Sequence, residues 1–254
     1  MLIDFNHWPA DKAIEAEVCI VGGGAAGLSI VREFFETGTD VCVIESGGEV
    51  YDHATQSLYD MVNVGLPRGP EAVARVRRLG GSTNLWAGRC APLSKLDFAE
   101  REWVPNSGWP IEREVLDPYY ERASGVLGLG WYPYDQSLYE QTGQEPPTLF
   151  GEDKLRQQFW QFSRSRNNDR QPVRFAQEFK QDFDDASNVR LFLNANLISV
   201  ETPETHTRQV KQLRVKSLRG HEAIVRARYV VLACGGIENA RLLLASNGTN
   251  PEGL

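Results

Sequence analysis

The residues best suited to chemistry lie between Glu17 and Gly47. Gly22-x-Gly24-x-x-Gly27 follows the short apolar run Val18 to Val21, and Glu45 ends a second apolar run, Val41 to Ile44. This pattern serves binding rather than bond-making. Gly22 permits a tight turn off a strand, Gly24 has no Cβ to block a pyrophosphate, and Gly27 lets the following helix approach the sheet. Ala26 lies in the first turn of that helix, whose N–H groups and dipole favour phosphate. An acid about 20 residues past the glycines accepts hydrogen bonds from a ribose diol and repels a 2′-phosphate. Glu45, with Ser46 after it, therefore points to FAD or NAD over NADP. A lone GxGxxG is often an ordinary turn. Here the strand before, the helix after and the distant acid agree on a dinucleotide.

The elements that must hold these residues are legible in outline. The spacing of Leu28, Val31, Phe34 and Phe35 predicts a helix from Ala25 to Thr37, ended by Gly38. Arg78-Leu79-Gly80-Gly81-Ser82-Thr83-Asn84 is a second glycine-rich element, suited to a flat polar heterocycle or a phosphate, with a plain β-turn as the alternative. Tyr229 to Ala233 reads as a third buried strand, running through Cys234-Gly235-Gly236 into a helix from Glu238 to Ser246. This repeats the first strand–glycine–helix arrangement, and adjacent strands that end at one edge build a crevice.

Between these lie less regular stretches. Tyr51 to Arg75 reads as a long loop with one short helix, of a length that usually covers a ligand. Residues 92–186 form an aromatic-rich insertion between two parts of a nucleotide domain, 1–91 and 187–254. Within it, Val115 to Leu127 and Arg174 to Asp184 have helical patterning, and Phe159 to Ser163 reads as a strand of a smaller sheet. Trp103 and Trp109 read as core residues, with stacking on a sugar as the alternative. Val189 to Leu193, Leu197 to Val200, Val210 to Ser217 and Glu222 to Arg228 form a β meander laid beside the main sheet. The fold class is α/β.

Composition narrows the partners. A formal net charge of −7 over 254 residues argues against a general nucleic-acid binder. Arg75, Arg77 and Arg78 are the tightest cationic cluster, and read as a small patch. No apolar run reaches the roughly 18 residues of a membrane span, and the first residues lack the pattern of a secretory signal. The default location is cytoplasmic, with export alongside a partner as the alternative. The four cysteines show no metal-ligand spacing, so no metal site is expected. Cys19, Cys42 and Cys234 read as core, and Cys90 as packing near the second glycine element.

Four segments resemble the glucose–methanol–choline (GMC) oxidoreductases: AEVCIVGGGAAGLSIV, RRLGGSTNLWAGRCAP, SGWPIEREVLDPYYERASGVLGL and ARYVVLACGGIENARLLLASN. The resemblance implies a Rossmann-like FAD-binding domain, and hence FAD over NAD. It implies that Gly22, Gly24, Gly27 and Glu45 hold the ADP half, and that Gly80, Gly81, Ser82, Thr83 and Asn84 lie along the flavin and its phosphates. It sets the backbone of Leu197 against the adenine, and brings Ala233 to Gly236 to the cofactor. Trp86 resembles the sugar-oxidising branch that includes pyranose 2-oxidase and the large subunit of gluconate dehydrogenase. Leu85 stands where that oxidase links its flavin covalently through a histidine, so the expected FAD is non-covalent.

The activity implied is oxidation of a CH–OH group in a sugar or other alcohol, with hydride passing to flavin N5 and an unknown electron acceptor. A base must also take the hydroxyl proton, a task suited to histidine. The four histidines, His7, His53, His206 and His221, match no family motif and read as surface or loop residues. The resemblance therefore leaves no catalytic residue assigned, and implies a substrate region beyond Leu254, either truncated or supplied by a partner. Two alternatives stay open, a catalytically incomplete FAD-binding fragment and a redox-neutral flavoenzyme such as an isomerase or mutase.

Overall fold

The computed structural model describes residues 1–10, 12–66, 74–130, 132, 134–147, 157–204 and 209–254. His206, Trp131 and the loop glycine and prolines at 67–70 lie outside the described residues. The chain divides into two compact units, one of Met1–Leu85 with Arg174–Leu254 and one of Trp86–Val173.

The first unit is a seven-stranded, mostly parallel sheet. Its strands are β1 (Leu2–Asp4), β2 (Ile14–Val21), β3 (Val41–Ile44), β6 (Val189–Leu193), β7 (Asn196–Glu201), β8 (Gln212–Lys216) and β9 (Glu222–Leu232), in the order β1-β6-β3-β2-β9-β8-β7. β2 is parallel to β3 on one side and to β9 on the other, with Ile20 opposite both Val43 and Val231. Ile20, Val43 and Cys19 are fully buried, which is why these strands are nearly continuous apolar runs. Each such Ile or Val contributes about 1.5–3 kcal/mol by leaving water. The opposite sheet face, including Cys19, Val21, Cys42, Ile44 and Phe192, packs in one cluster with the meander residues Leu197, Leu213, Val215 and Val225.

Several elements differ from the sequence expectation. The helix after the first glycine motif, α1, is Ala25–Arg32 and stops well short of Thr37. Its end tightens through bonds from Phe34 N–H to Val31 O and from Phe35 N–H to Arg32 O, and Glu36 then takes a positive φ of 60°. Phe35 is thereby set edge-on to Phe183, which an extended helix would turn away. Three of the expected meander strands continue the main sheet at one edge as β9-β8-β7, but the fourth, Val189 to Leu193, is β6, parallel to β1 and β3 within the sheet. The strands expected at 222–228 and 229–233 are one strand, β9, antiparallel to β8 from Glu222 to Val225 and parallel to β2 from Val225 to Leu232. β1, a short edge strand parallel to β6, has too few residues for periodicity to mark it.

The long connection after β3 carries the short helix α2 (His53–Gln56). The helix expected at 174–184 is two pieces, α6 (Phe175–Glu178) and α7 (Lys180–Asp185), both in the first unit. The closing helix, α8 (Gly236–Ala245), packs on β7.

The second unit holds α3 (Lys95–Phe98), α4 (Asp117–Leu127), α5 (Ser137–Thr142) and the two-stranded antiparallel sheet of β4 (Arg89–Cys90) and β5 (Gln161–Phe162). The Trp86 indole N–H donates to Val173 O at 2.8 Å, joining the unit's two ends. Asp117 accepts from Arg113 and Tyr132, and Tyr132 stacks on Tyr120. Trp103 and Trp109 are 77% and 56% exposed, so neither is the core residue expected. Trp103 lies in a turn, and Trp109 packs one side of its ring on Phe98.

Candidate nucleotide site

Three glycine-rich turns meet at the carboxyl ends of β2, β3 and β9. Gly22 takes φ +107°, and a Cβ on it would lie 2.6 Å from Ala233 O, so β2 and β9 approach there as only glycine allows. Ala233 N–H donates to Val21 O at 2.7 Å, holding the two strand ends level. A Cβ on Gly27 would collide with Gly22 O and crowd Ile20, which accounts for the close seating of α1. Gly24 caps α1 without a side chain, so no side chain of its own competes for the N–H groups of Ala25 and Ala26.

The second glycine element lies directly against the first. Gly80 N–H donates to Gly23 O at 2.8 Å, and a Cβ on Gly81, at φ +52°, would come within 2.9 Å of Gly24 Cα. Within this element the polar side chains do unequal work. Thr83 is buried, with Oγ1 donating to Gly80 O at 2.6 Å, and its carbonyl accepts from Arg174. The Asn84 amide donates to Leu79 O and Gly81 O and accepts from Arg78 at 2.7 Å. Thr83, Asn84 and Arg78 thus shape the turn itself, while Ser82 is exposed.

Glu45 is placed where the sequence spacing put it, at the end of β3, but its carboxylate already has protein partners. Oε2 accepts the Gly23 N–H at 2.6 Å and Oε1 the Gly47 N–H at 2.8 Å, and the residue is only 6% exposed. Burial pushes its carboxyl above the usual range, against the pull of those two N–H groups and of the Arg77 charge. Each oxygen keeps acceptor capacity beyond the bond it makes. Ser46 Oγ donates to Asn196 Oδ1 at 2.6 Å, next to Leu197, whose side chain is buried in the core cluster. Gly235 is exposed at φ +88° and caps α8. The amide of Asn239, a residue no motif marked, joins Cys234 N–H to Leu232 O across the same turn.

The Arg75–Arg78 cluster is not the surface patch expected. Arg77 and Arg75 are drawn inward by Glu238, which is 4% exposed in the first turn of α8. The sequence signal for this was slight, an acid opening an otherwise apolar helix. Cys19 and Cys42 are buried in the core as expected, while Cys90 and Cys234 are half-buried, Cys234 against the core's edge. Burial, followed by the nearby Glu45 charge, pushes the Cys234 thiol up to about 12. The histidines also lie apart in role: His7 faces Asp4, and His221 packs edge-on against Phe5. Among the described residues no group of His, Cys, Asp and Glu is arranged to hold a metal.

Paired glycine turns, an open helix N-terminus and a buried acid at the next strand's end are the parts of a site for a dinucleotide. Residues 17–250, which span all of them, match the family described as FAD dependent oxidoreductase. The chain belongs to the FAD dependent oxidoreductases. Within that setting, it is 26% identical to 2-methyl-1,2-propanediol dehydrogenase of Mycolicibacterium austroafricanum over 163 residues, 55% of this chain and 30% of that protein. It is 30% identical to paromamine 6'-oxidase of Streptomyces fradiae over 127 residues, 44% of this chain and 24% of that protein. A formate oxidase of Aspergillus oryzae RIB40 superposes with a TM-score of 0.58 at 17% identity, over 92% of this chain and 48% of that one. The matched region spans less than a third of these curated relatives and about half of the structural one. No helix among its described residues is long and apolar enough to cross a membrane.

Proposed function

We propose that this chain binds FAD non-covalently as the nucleotide-binding part of a GMC-type oxidoreductase acting on a CH–OH group of a sugar or other alcohol. The observation that carries the reading is the Gly80 N–H to Gly23 O bond, which joins the two glycine turns beside the open end of α1 and above Glu45. The residues fit the group. α1 and the Gly24–Gly81 approach offer backbone to a diphosphate, and a Cβ on Gly24 would meet nothing closer than Gly81 Cα at 3.9 Å. Glu45 offers its remaining acceptor capacity to a ribose diol. Leu85 has no nucleophilic atom for a flavin linkage, in keeping with dissociable cofactor.

When bound, FAD supplies the two-electron step by accepting hydride from the alcohol carbon. The chain's own share is to bind and orient: backbone amides hold the phosphates, Glu45 fixes the ribose, and Thr83 and Asn84 keep the second turn in shape. The names of the two curated relatives, 2-methyl-1,2-propanediol dehydrogenase and paromamine 6'-oxidase, support alcohol substrates for the whole protein.

The test is a titration of the 254-residue chain with FAD, FMN and NADP under equilibrium dialysis. FAD retained in micromolar or tighter binding, released intact by acid or heat, with FMN and NADP at least tenfold weaker, supports the reading. Failure to retain FAD, or preference for NADP, overturns it. Anaerobic bleaching of the bound flavin by polyols or sugars then tests the substrate class.

A further inference from the structure

Around the end of β3 the fold gathers a buried charge network that the nucleotide motifs do not account for. The Arg77 side chain is 9% exposed. One guanidinium nitrogen donates to Ser46 Oγ at 2.8 Å and reaches Asn196 Oδ1 at 3.4 Å, while the other pairs with Glu238 at 2.7 Å. The Tyr59 ring lies 4.4 Å from the Arg77 guanidinium carbon and 4.1 Å from that of Arg75. The Arg77 Nε is buried without a partner. A buried donor left unmet marks a place where a ligand atom or an ordered water belongs.

This arrangement has a direction. Ser46 follows Glu45 directly, and Asn196 opens β7 next to Leu197, so one planar cation ties the acid-bearing turn to the neighbouring hairpin and to α8. Resting on the reading of this site as one for FAD, we infer that Arg77 is a positioning residue for the cofactor's adenosine end, holding the Glu45–Ser46 turn in place and setting its charge beside Glu45. Arginine suits the task because its fork reaches three partners at fixed angles, which a lysine ammonium cannot do.

The groups facing Glu45 make the consequence testable. Arg77 supplies the positive charge, and the Gly23 and Gly47 N–H groups donate directly. Tyr59 and Cys234 feel the Glu45 charge and are both pushed up, chiefly by burial, so both are neutral near pH 7. Glu238 lies on the far side of Arg77, with Arg75 and Arg241 also paired to it. Arg77 is therefore the cation that favours ionised Glu45, and an ionised carboxylate is the stronger acceptor for ribose hydroxyls.

The experiment measures the FAD dissociation constant of the 254-residue chain from pH 5 to 9, unsubstituted and in two variants. Arg77→Gln/Glu238→Gln removes both charges of the pair, so neither member is left buried without the other, and Arg77→Lys keeps the charge but not the fork. Circular dichroism confirms that each is folded. The expected result is at least tenfold weaker FAD for the double variant at pH 7, with its acid-side loss of binding moved to higher pH. Arg77→Lys should bind more weakly while losing affinity near the same pH as the unsubstituted chain. Unsubstituted affinity and an unmoved acid limb in a folded double variant would overturn the role of Arg77 alone. No FAD binding by the unsubstituted chain overturns the functional reading and this inference with it.

Discussion

At the scale of single residues, Glu45 is asked to do two things. It accepts two backbone N–H bonds that brace the first glycine turn, and it is the proposed ribose acceptor. Glu45→Gln turns an amide donor against one of those N–H groups, so FAD binding should weaken at least about tenfold, as read by flavin fluorescence. The pH sign follows from burial. Because the folded carboxyl titrates above its ordinary 4.5, its contribution to stability of the unliganded chain is present below that value and is lost as pH rises through the raised one. Binding runs the other way, weakening as pH falls and Glu45 takes a proton. Cys234 offers a cleaner check. With its thiol pushed up to about 12, the thiolate is scarce at pH 8, so iodoacetamide should label it at least a hundredfold more slowly in the native chain than in urea, by mass spectrometry. Labelling at equal rates would contradict the burial described.

Elements decide how those residues meet. The first glycine motif was legible because the strand, turn and α1 are contiguous and Gly27 answers Gly22 and Ile20 within a few residues, although the crowding at Gly22 comes from the distant Ala233. The contact between the two glycine turns was not, since Gly24 and Gly81 are remote in sequence and nothing in either segment names the other. Gly81→Ala places a Cβ at φ +52° and 2.9 Å from Gly24 Cα. It should destabilise the chain by about 1–3 kcal/mol in denaturant titrations and weaken FAD disproportionately, by parting the turns. An equally stable variant with unchanged affinity would show the turns do not act together. α1 teaches the complementary lesson. Phe34 and Phe35 continue the helical spacing, yet the helix ends at Arg32 and Phe35 lies edge-on to the distant Phe183.

At the scale of the whole molecule, the first unit is organised by one sheet. Val225, fully buried, sits opposite Ile14 on one side and Leu213 on the other, at the point where parallel strands give way to the meander. Val225→Ala should cost about 2 kcal/mol and speed hydrogen exchange at both Ile20 and Leu213, because a continuous sheet opens as one. Faster exchange confined to the meander would show that it opens independently of the parallel strands. The sequence alone determined the dinucleotide motif, the buried strands β2 and β3, and the acid at the end of β3, since each depends on local spacing and apolar runs that read the same in any context. Only the tertiary structure decided that β9 is a single strand, that the two glycine turns share a hydrogen bond, and that Arg77 reaches Ser46, Asn196 and Glu238 together. Those outcomes depend on pairings between distant segments, chosen by packing and by the need to satisfy buried charge, and no local pattern encodes which distant partner will arrive.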